Sequence, residues 1–395
     1  GSRGLGDVYK RQDLECVTCY RLADGQLLWI HSHETRHEDS LGGVGPRSTP
    51  SIDAGRVYAQ GATGQLWCLD LESGEVVWNV DLIEAAGRPG WDVLASETMI
   101  SWGRAGSPLL VDAPSVEGDA PNVEGDAPSV EGDAPGVEGD APGVGVRRLC
   151  VCPFGGPEEL AETGRSLIAL DAETGDVVWT AGDDQISYAS PTLMTLAGVR
   201  QIVSVNEKTV TGHVVAHGTT LWSTDWPGNS NGDANCSSAI QAGENRFLVG
   251  KGYGGGSALI EVREESGTLF AEPLWQSSRV LKTKFTHACV DGEVAYALSN
   301  GSLEAVEIET SERLWLQPRA SRYQQGQILL VDDVIVVQAE TGELAMVAAD
   351  STEFRELRRI SAMSSKTWNL PTVAGRHLLV RNDRQAICFL LPPAE

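Results

Sequence analysis

Three groups of residues in this sequence have the types and spacing to do chemistry. The largest is a scattered set of cationic, amide and hydroxyl side chains: Arg47 with Ser48, Ser107, Tyr188 with Ser190, Asn231, Asp233 and Asn235, Lys282 with Lys284, Gln325 with Gln327, and Lys366 with Trp368 and Asn369. Lysine and arginine gathered with tyrosine, tryptophan and amides would suit an anionic or carbonyl-bearing ligand, because charge-assisted hydrogen bonds are strong and a site needs a few convergent polar groups. The opposing expectation is that these groups hydrogen-bond one another and channel water. No residue is assigned a catalytic role.

The second group is His31, His33 and His37, with Glu34, Glu38 and Asp39 beside them. Such a set offers a divalent metal its ligands, but a polar surface loop is the plainer expectation and no metal is assigned. The third group is the cysteines, eight in all: Cys16, Cys19, Cys68, Cys150, Cys152, Cys236, Cys289 and Cys388. Cys16 and Cys19 lie three apart, so on a strand they face opposite sides and make poor co-ligands. Tyr20 follows Cys19, so the CxxCH haem attachment pattern fails. Cys150 and Cys152 share a face, where buried free thiols are the plain expectation.

The elements that position these residues are repeats. LIALDAETGDVVW at 167–179 reads as a half-buried strand, a tight turn on Gly175, and a second strand ending on Trp179. The hairpin recurs with Trp29, Trp78, Trp222, Trp275 and Trp315 at the Trp179 place, and degenerates at Phe354. All six tryptophans are expected to dock blade on blade. Another pair of apolar runs precedes most copies, giving four short strands in roughly 40 residues, the blade length of a β-propeller. The sequence predicts an all-β, eight-bladed propeller of four-stranded antiparallel blades: a truncated first blade from Asp13, then 47–82, 91–179, 188–222, 235–275, 285–315, 325–357 and 368–391. First strands of a propeller begin at the mouth of its channel, where the first group of residues falls. Lys282, Lys284 and Lys366 are expected to converge there, with Arg47 and Asn235 joining from the other side and either Asp233 with its neighbours, the favoured case, or an anionic ligand neutralising them.

One blade is interrupted. VEGDAP-type units repeat every seven residues within 112–146, with Pro and Gly in each unit and one apolar residue per unit. Pro and Gly exclude a helix and a single apolar residue cannot bury a core, so a disordered acidic tether is expected. The leader 1–12, GSRGLGDVYKRQ, has no strand pattern and reads as a translated adapter, so a native start with any signal peptide is expected to be missing. The rest, 13–395, is expected to be one domain and a monomer.

Formal net charge is −25, which repels phosphate backbones and argues against nucleic acid. No apolar run approaches the ~20 residues needed to span a bilayer. The Gly-rich GKGYGGGS at 250–257 lets backbone approach closely but has no strand-to-helix context for a phosphate loop.

With LIALDAETGDVVW and LWCLDLESGEVVW as its clearest copies, the chain resembles the PQQ-like β-propeller repeat proteins, and among them the BamB-like ones. It lacks the paired GH…WD signature of WD40 propellers and the double glycine of kelch repeats. The resemblance implies a bacterial protein of the periplasm or cell envelope, and a non-catalytic scaffold for protein or peptide partners. Its quinone dehydrogenases stack PQQ between a Trp and a disulfide of adjacent cysteines, with a bound calcium. None of the cysteines here are adjacent, so no cofactor is expected. A PQQ and calcium enzyme, or a small anion or sugar binder in the channel, are the alternatives.

Overall fold

The computed structural model of the chain describes residues 14–40, 42–45, 47–86, 100, 102–114, 145–155, 164–228, 234–382 and 384–392. The leader, the acidic repeat from 115 to 144, Asn231 and Asp233 lie outside the described residues.

The strands form antiparallel sheets in strict sequence order. Blade 1 runs Ser51–Asp53, Arg56–Gln60, Gln65–Asp70, Val76–Asp81. Blade 2 runs Leu109–Pro114, Val146–Pro153, Leu167–Asp171, Val177–Ala181, and blade 3 Thr192–Leu196, Val199–Val205, Thr209–Val214, Thr220–Asp225. Blade 4 runs Ile240–Gln241, Arg246–Lys251, Gly256–Glu265, Thr268–Ser277, and blade 5 Cys289–Asp291, Val294–Ser299, Ser302–Glu307, Arg313–Leu316. Blade 6 runs Gln327–Val331, Val334–Gln338, Glu343–Ala348, Glu356–Ser361. Blade 7 has three strands, Thr372–Ala374, His377–Arg381 and Ala386–Leu390.

The propeller is therefore seven-bladed, which corrects the expected eight. The truncated first blade of the sequence reading is only a hairpin, Leu14–Tyr20 with Leu27–Glu34, paired with no third strand among the described residues. It has the Trp-bearing outer pair of a blade and lacks the inner pair, so it docks on blade 1 through Trp29 without forming a blade of its own.

The repeated turn explains the period. In blade 2 the Asp171 carboxylate accepts from the N–H groups of Glu173 (2.8 Å) and Thr174 (3.1 Å), and Gly175 follows at φ +81°. That left-handed turn leaves a shallow seat which the preceding blade's tryptophan fills. A Cβ on Gly175 would stand 2.8 Å from Trp78, and one on Gly218 2.6 Å from Trp179. Ser311 takes the same place at φ +59°, a strained choice for a residue with a Cβ.

The core lies between blades. Tyr58, Leu66, Cys68 and Trp78 of blade 1 pack on Cys150, Cys152, Ile168 and Leu170 of blade 2. Alternating side chains on each strand serve its two neighbours, which is why Leu167, Ile168, Ala169 and Leu170 are all buried.

The acidic segment leaves the sheet where it can do least harm. Pro114 and Val146 are direct ladder partners, so the strands on either side close onto each other. Replacing 115–144 by a short Gly/Ser linker is expected to leave the melting temperature within about 2 °C, because loop length enters stability only logarithmically. A calorimetric drop well beyond that would mean the segment packs on the body.

Acid should unfold the protein early. His213 is buried, with Nδ1 2.9 Å from Gly218 O and Nε2 2.8 Å from the Thr211 hydroxyl. A carbonyl only accepts, so Nδ1 carries the proton and Nε2 accepts from Thr211. Burial lowers the pKa of His213, and burial lowers that of His287 as well. The neutral forms are favoured in the folded state, so their contribution is complete above about pH 6.5 and is lost as pH falls below it. Urea midpoints should drop between about pH 6.5 and 5, and His213→Gln should flatten that slope. An unchanged slope in the variant would remove His213 from the account.

Candidate functional site

Antiparallel order places the loops entering each blade's first strand at the same end as the turns joining its second and third strands. This end is the mouth. The Trp-receiving turns lie at the opposite end.

At the mouth, the serines and amides singled out by sequence bind blade to blade. The Thr49 N–H donates to Ser107 Oγ (2.9 Å), the Ser107 N–H to Ser190 Oγ (2.9 Å), and the Ser190 N–H to Ser238 Oγ (3.1 Å). This relay crosses blades 1 to 4 and spends each hydroxyl on a neighbouring first strand. Ser48 donates to Gln60 O within blade 1. Gln327 Nε2 donates to Phe285 O (2.6 Å), tying blade 6 to the loop before blade 5.

Asn235 is fully buried. Its Nδ2 donates to Asn206 O (2.8 Å), Trp226 O (3.0 Å) and Glu207 O (3.1 Å), and its own N–H donates to Ser187 Oγ (2.7 Å). Arg47 pairs with Asp39 and donates to Gly43 O and Gly45 O, both at 2.7 Å. Tyr188 packs 5.3 Å from the Trp102 ring, and burial raises its phenol pKa.

The lysines behave differently. Lys284 Nζ lies 5.2 Å from the Tyr253 ring centre, and Lys366 Nζ lies 4.2 Å over Trp368. Trp368 in turn packs 4.7 Å from Phe285, the residue after Lys284. The loops before blades 5 and 7 thus meet, and Lys284 and Lys366 come onto one patch, with Lys282 on the same loop. Glu340 anchors the patch: its carboxylate accepts from Trp368 Nε1 (3.0 Å) and from the Gln325 N–H (3.1 Å). The Asn369 amide pairs with Arg381, accepting from Nη2 (3.1 Å) and donating to its carbonyl (3.2 Å). Arg47 and Asn235 are held elsewhere by the bonds above. Counting first-strand starts overlooks Phe285, Tyr253 and Glu340. Glu340 occupies a second-to-third-strand turn, the other element of the mouth, and the GKGYGGGS run, which holds Tyr253, draws attention only to its backbone.

His31 and His33 both lie against Trp67, at 4.5 and 5.2 Å, while His37 Nε2 stands 3.6 Å from Asp39. Among the described residues no group of three or more His, Cys, Asp or Glu is placed to hold a metal ion. All eight cysteines are free thiols. Cys150 and Cys152 bring their sulfurs within 4.0 Å, and the Cys152 contact and burial hold the Cys150 thiol above its ordinary range.

At the opposite end the indoles bond forward around the ring. Trp29 donates to Leu71 O (3.0 Å), Trp78 to Ala172 O (3.1 Å) and Trp179 to Val215 O (3.3 Å). Trp275 donates to Ile308 O (2.8 Å) and Trp315 to Asp350 O (2.7 Å). Trp222 instead donates to Gln201 within its own blade.

Four-stranded repeats locked by a tryptophan on the next blade's turn define a repeat-type β-propeller. The chain belongs to the family described as outer membrane protein assembly factor BamB, whose family model matches residues 14–112 and 159–356. No curated protein matches it. Among solved structures it is similar to BamB from Moraxella catarrhalis, at 13% identity and TM-score 0.55, covering 95% of this chain and 88% of that one. It is similar also to Sqt1 from Saccharomyces cerevisiae, at 9% identity and TM-score 0.57, covering 96% and 91%. The computationally designed Ika8 protein is a third, at 10% identity and TM-score 0.53, covering 96% and 91%. Likeness at these identities carries the fold. No helix among the described residues is long and apolar enough to cross a membrane.

Proposed function

We propose that the chain is a non-catalytic scaffold which holds a protein or peptide partner, at the cell envelope and in outer-membrane protein assembly, as its family's description indicates. One observation carries this reading beyond family membership. The mouth residues that could have served chemistry are spent on the ring: the Ser107–Ser190–Ser238 relay, Asn235 and Gln327 all bond to neighbouring backbone. What remains for a ligand is the outward surface of the loops, which suits an extended partner better than a small molecule.

Binding of peptides tiled from outer-membrane β-barrel proteins, read by fluorescence anisotropy, tests the reading. Saturable micromolar binding by a subset is expected. No peptide binding, together with a shifted quinone absorbance on adding PQQ and calcium, would move the chain to the quinone-dependent enzymes.

A further inference from the structure

The chain has only six lysines against twenty-four arginines. Lys10 lies outside the described residues; the other five all sit at the mouth. Lys208 is in the second-to-third-strand turn of blade 3, and Lys251 ends the second strand of blade 4. Lys282 and Lys284 are in the loop before blade 5, and Lys366 in the loop before blade 7. Random placement over two ends and many strand positions would scatter them.

The charge around them is also one-sided. By sequence, the mouth loops and turns of blades 4 to 7, 226–239, 252–255, 278–288, 300–301, 317–326, 339–342, 362–371 and 382–385, contain seven cations, Arg279, Lys282, Lys284, Arg319, Arg322, Lys366 and Arg384, against three carboxylates, Glu340 and, outside the described residues, Asp233 and Asp383. Glu340 is already engaged by Trp368 and Gln325. Lys282 and Lys284 make no ion pair among the described residues; nor do Arg319 and Arg322, which are exposed. In a protein of net charge −25, a sector with this excess of cations draws in negative charge while the rest of the surface repels it. Aromatic surface is interleaved: Tyr253 is 42% exposed beside Lys284, and Trp368 and Phe285 lie between Lys284 and Lys366. Cations set among aromatic rings are the composition of an interface anchor.

We infer that the mouth of blades 4 to 7 is a docking surface for an acidic polypeptide segment that carries aromatic side chains. Its carboxylates pair with Lys282, Lys284 and Lys366, and its rings pack beside Tyr253 and Trp368. This deepens the scaffold reading and rests on it. The chain's own acidic segment is attached at Pro114 and Val146, at the end of blade 2 away from the mouth, so charge complementarity is offered to another molecule.

The test measures anisotropy of four labelled probes on the full chain: a short Glu/Asp peptide with interspersed Phe, its Gln/Asn counterpart, its Lys/Arg counterpart, and a single-stranded oligonucleotide of equal length. The acidic peptide should bind at least about tenfold more tightly than the other three, and added salt should weaken it. Lys282→Glu, Lys284→Glu and Lys366→Glu together should lose about tenfold or more at an unchanged melting temperature. If that variant melts early, glutamine at the three positions keeps the stems and should still lose affinity. Equal binding by the neutral or basic peptide overturns the acidic assignment and leaves the scaffold reading standing. No peptide binding at all overturns both. Equally tight oligonucleotide binding overturns the polypeptide assignment. Binding that appears only after 115–144 is replaced by a linker gives the surface to the chain's own segment and also overturns it.

Discussion

Trp179→Ala is expected to destabilise the protein by about 3–5 kcal/mol, read as a shift of the denaturant midpoint at constant m-value. The indole is 8% exposed and packs with Val111, Leu149 and Leu167 of its own blade and Ile202 and Val215 of the next. Its Nε1 also donates to Val215 O at 3.3 Å. Truncation opens a cavity between two blades that cannot collapse, because the facing element is the Gly218 turn, fixed at φ +74°. The seat gives a second variant. Gly218→Ala adds a Cβ 2.6 Å from Trp179 and forces a positive φ on alanine, so it should also destabilise. A wild-type midpoint for Trp179→Ala would refute the docking role.

Asn235→Ala should cost about 3 kcal/mol, because Asn206 O and Trp226 O lose their side-chain donor inside the protein, while Glu207 O keeps the Gly228 N–H. The informative partner is Asn235→Asp. It keeps the shape but puts an oxygen in place of the Nδ2 donor against Asn206 O, Glu207 O and Trp226 O. With no N–H to offer and a buried charge to neutralise, it should be at least as destabilising as alanine. Near-wild-type stability in Asn235→Asp would show that the amide is not the tie between blades 3 and 4.

Much of the fold can be read before any coordinates, for a local reason. Asp171, Gly175 and Trp179 are one hairpin, and each makes its contact through a turn that spacing alone encodes. The number of blades is less legible. Trp29 advertises an outer strand as clearly as Trp179 does, and nothing in the hairpin's own residues reveals that, among the described residues, it pairs with no third strand. Pairing with a third strand is a long-range fact, and the structure supplies it as seven blades.

The site was legible by position and less so by role. Arg47, Ser107, Asn235 and Gln327 were singled out as polar residues at strand starts, and they lie there. Whether a serine faces a ligand or the next blade depends on a few degrees of strand twist, which no spacing reveals. Lys284 and Lys366 are 82 positions apart in the sequence, and the Phe285–Trp368 contact brings their loops together. Glu340 reaches the same patch from a turn with no distinguishing motif.

Hydrogen exchange of the full chain with and without the acidic peptide tests the central claim most directly. The account predicts slowed exchange in the mouth loops 278–288, 317–326 and 362–371, and no change at the tryptophan-receiving turns around Gly74, Gly175 and Gly218. Protection confined to those turns, or to the outer strands, with the mouth loops unchanged, would contradict it.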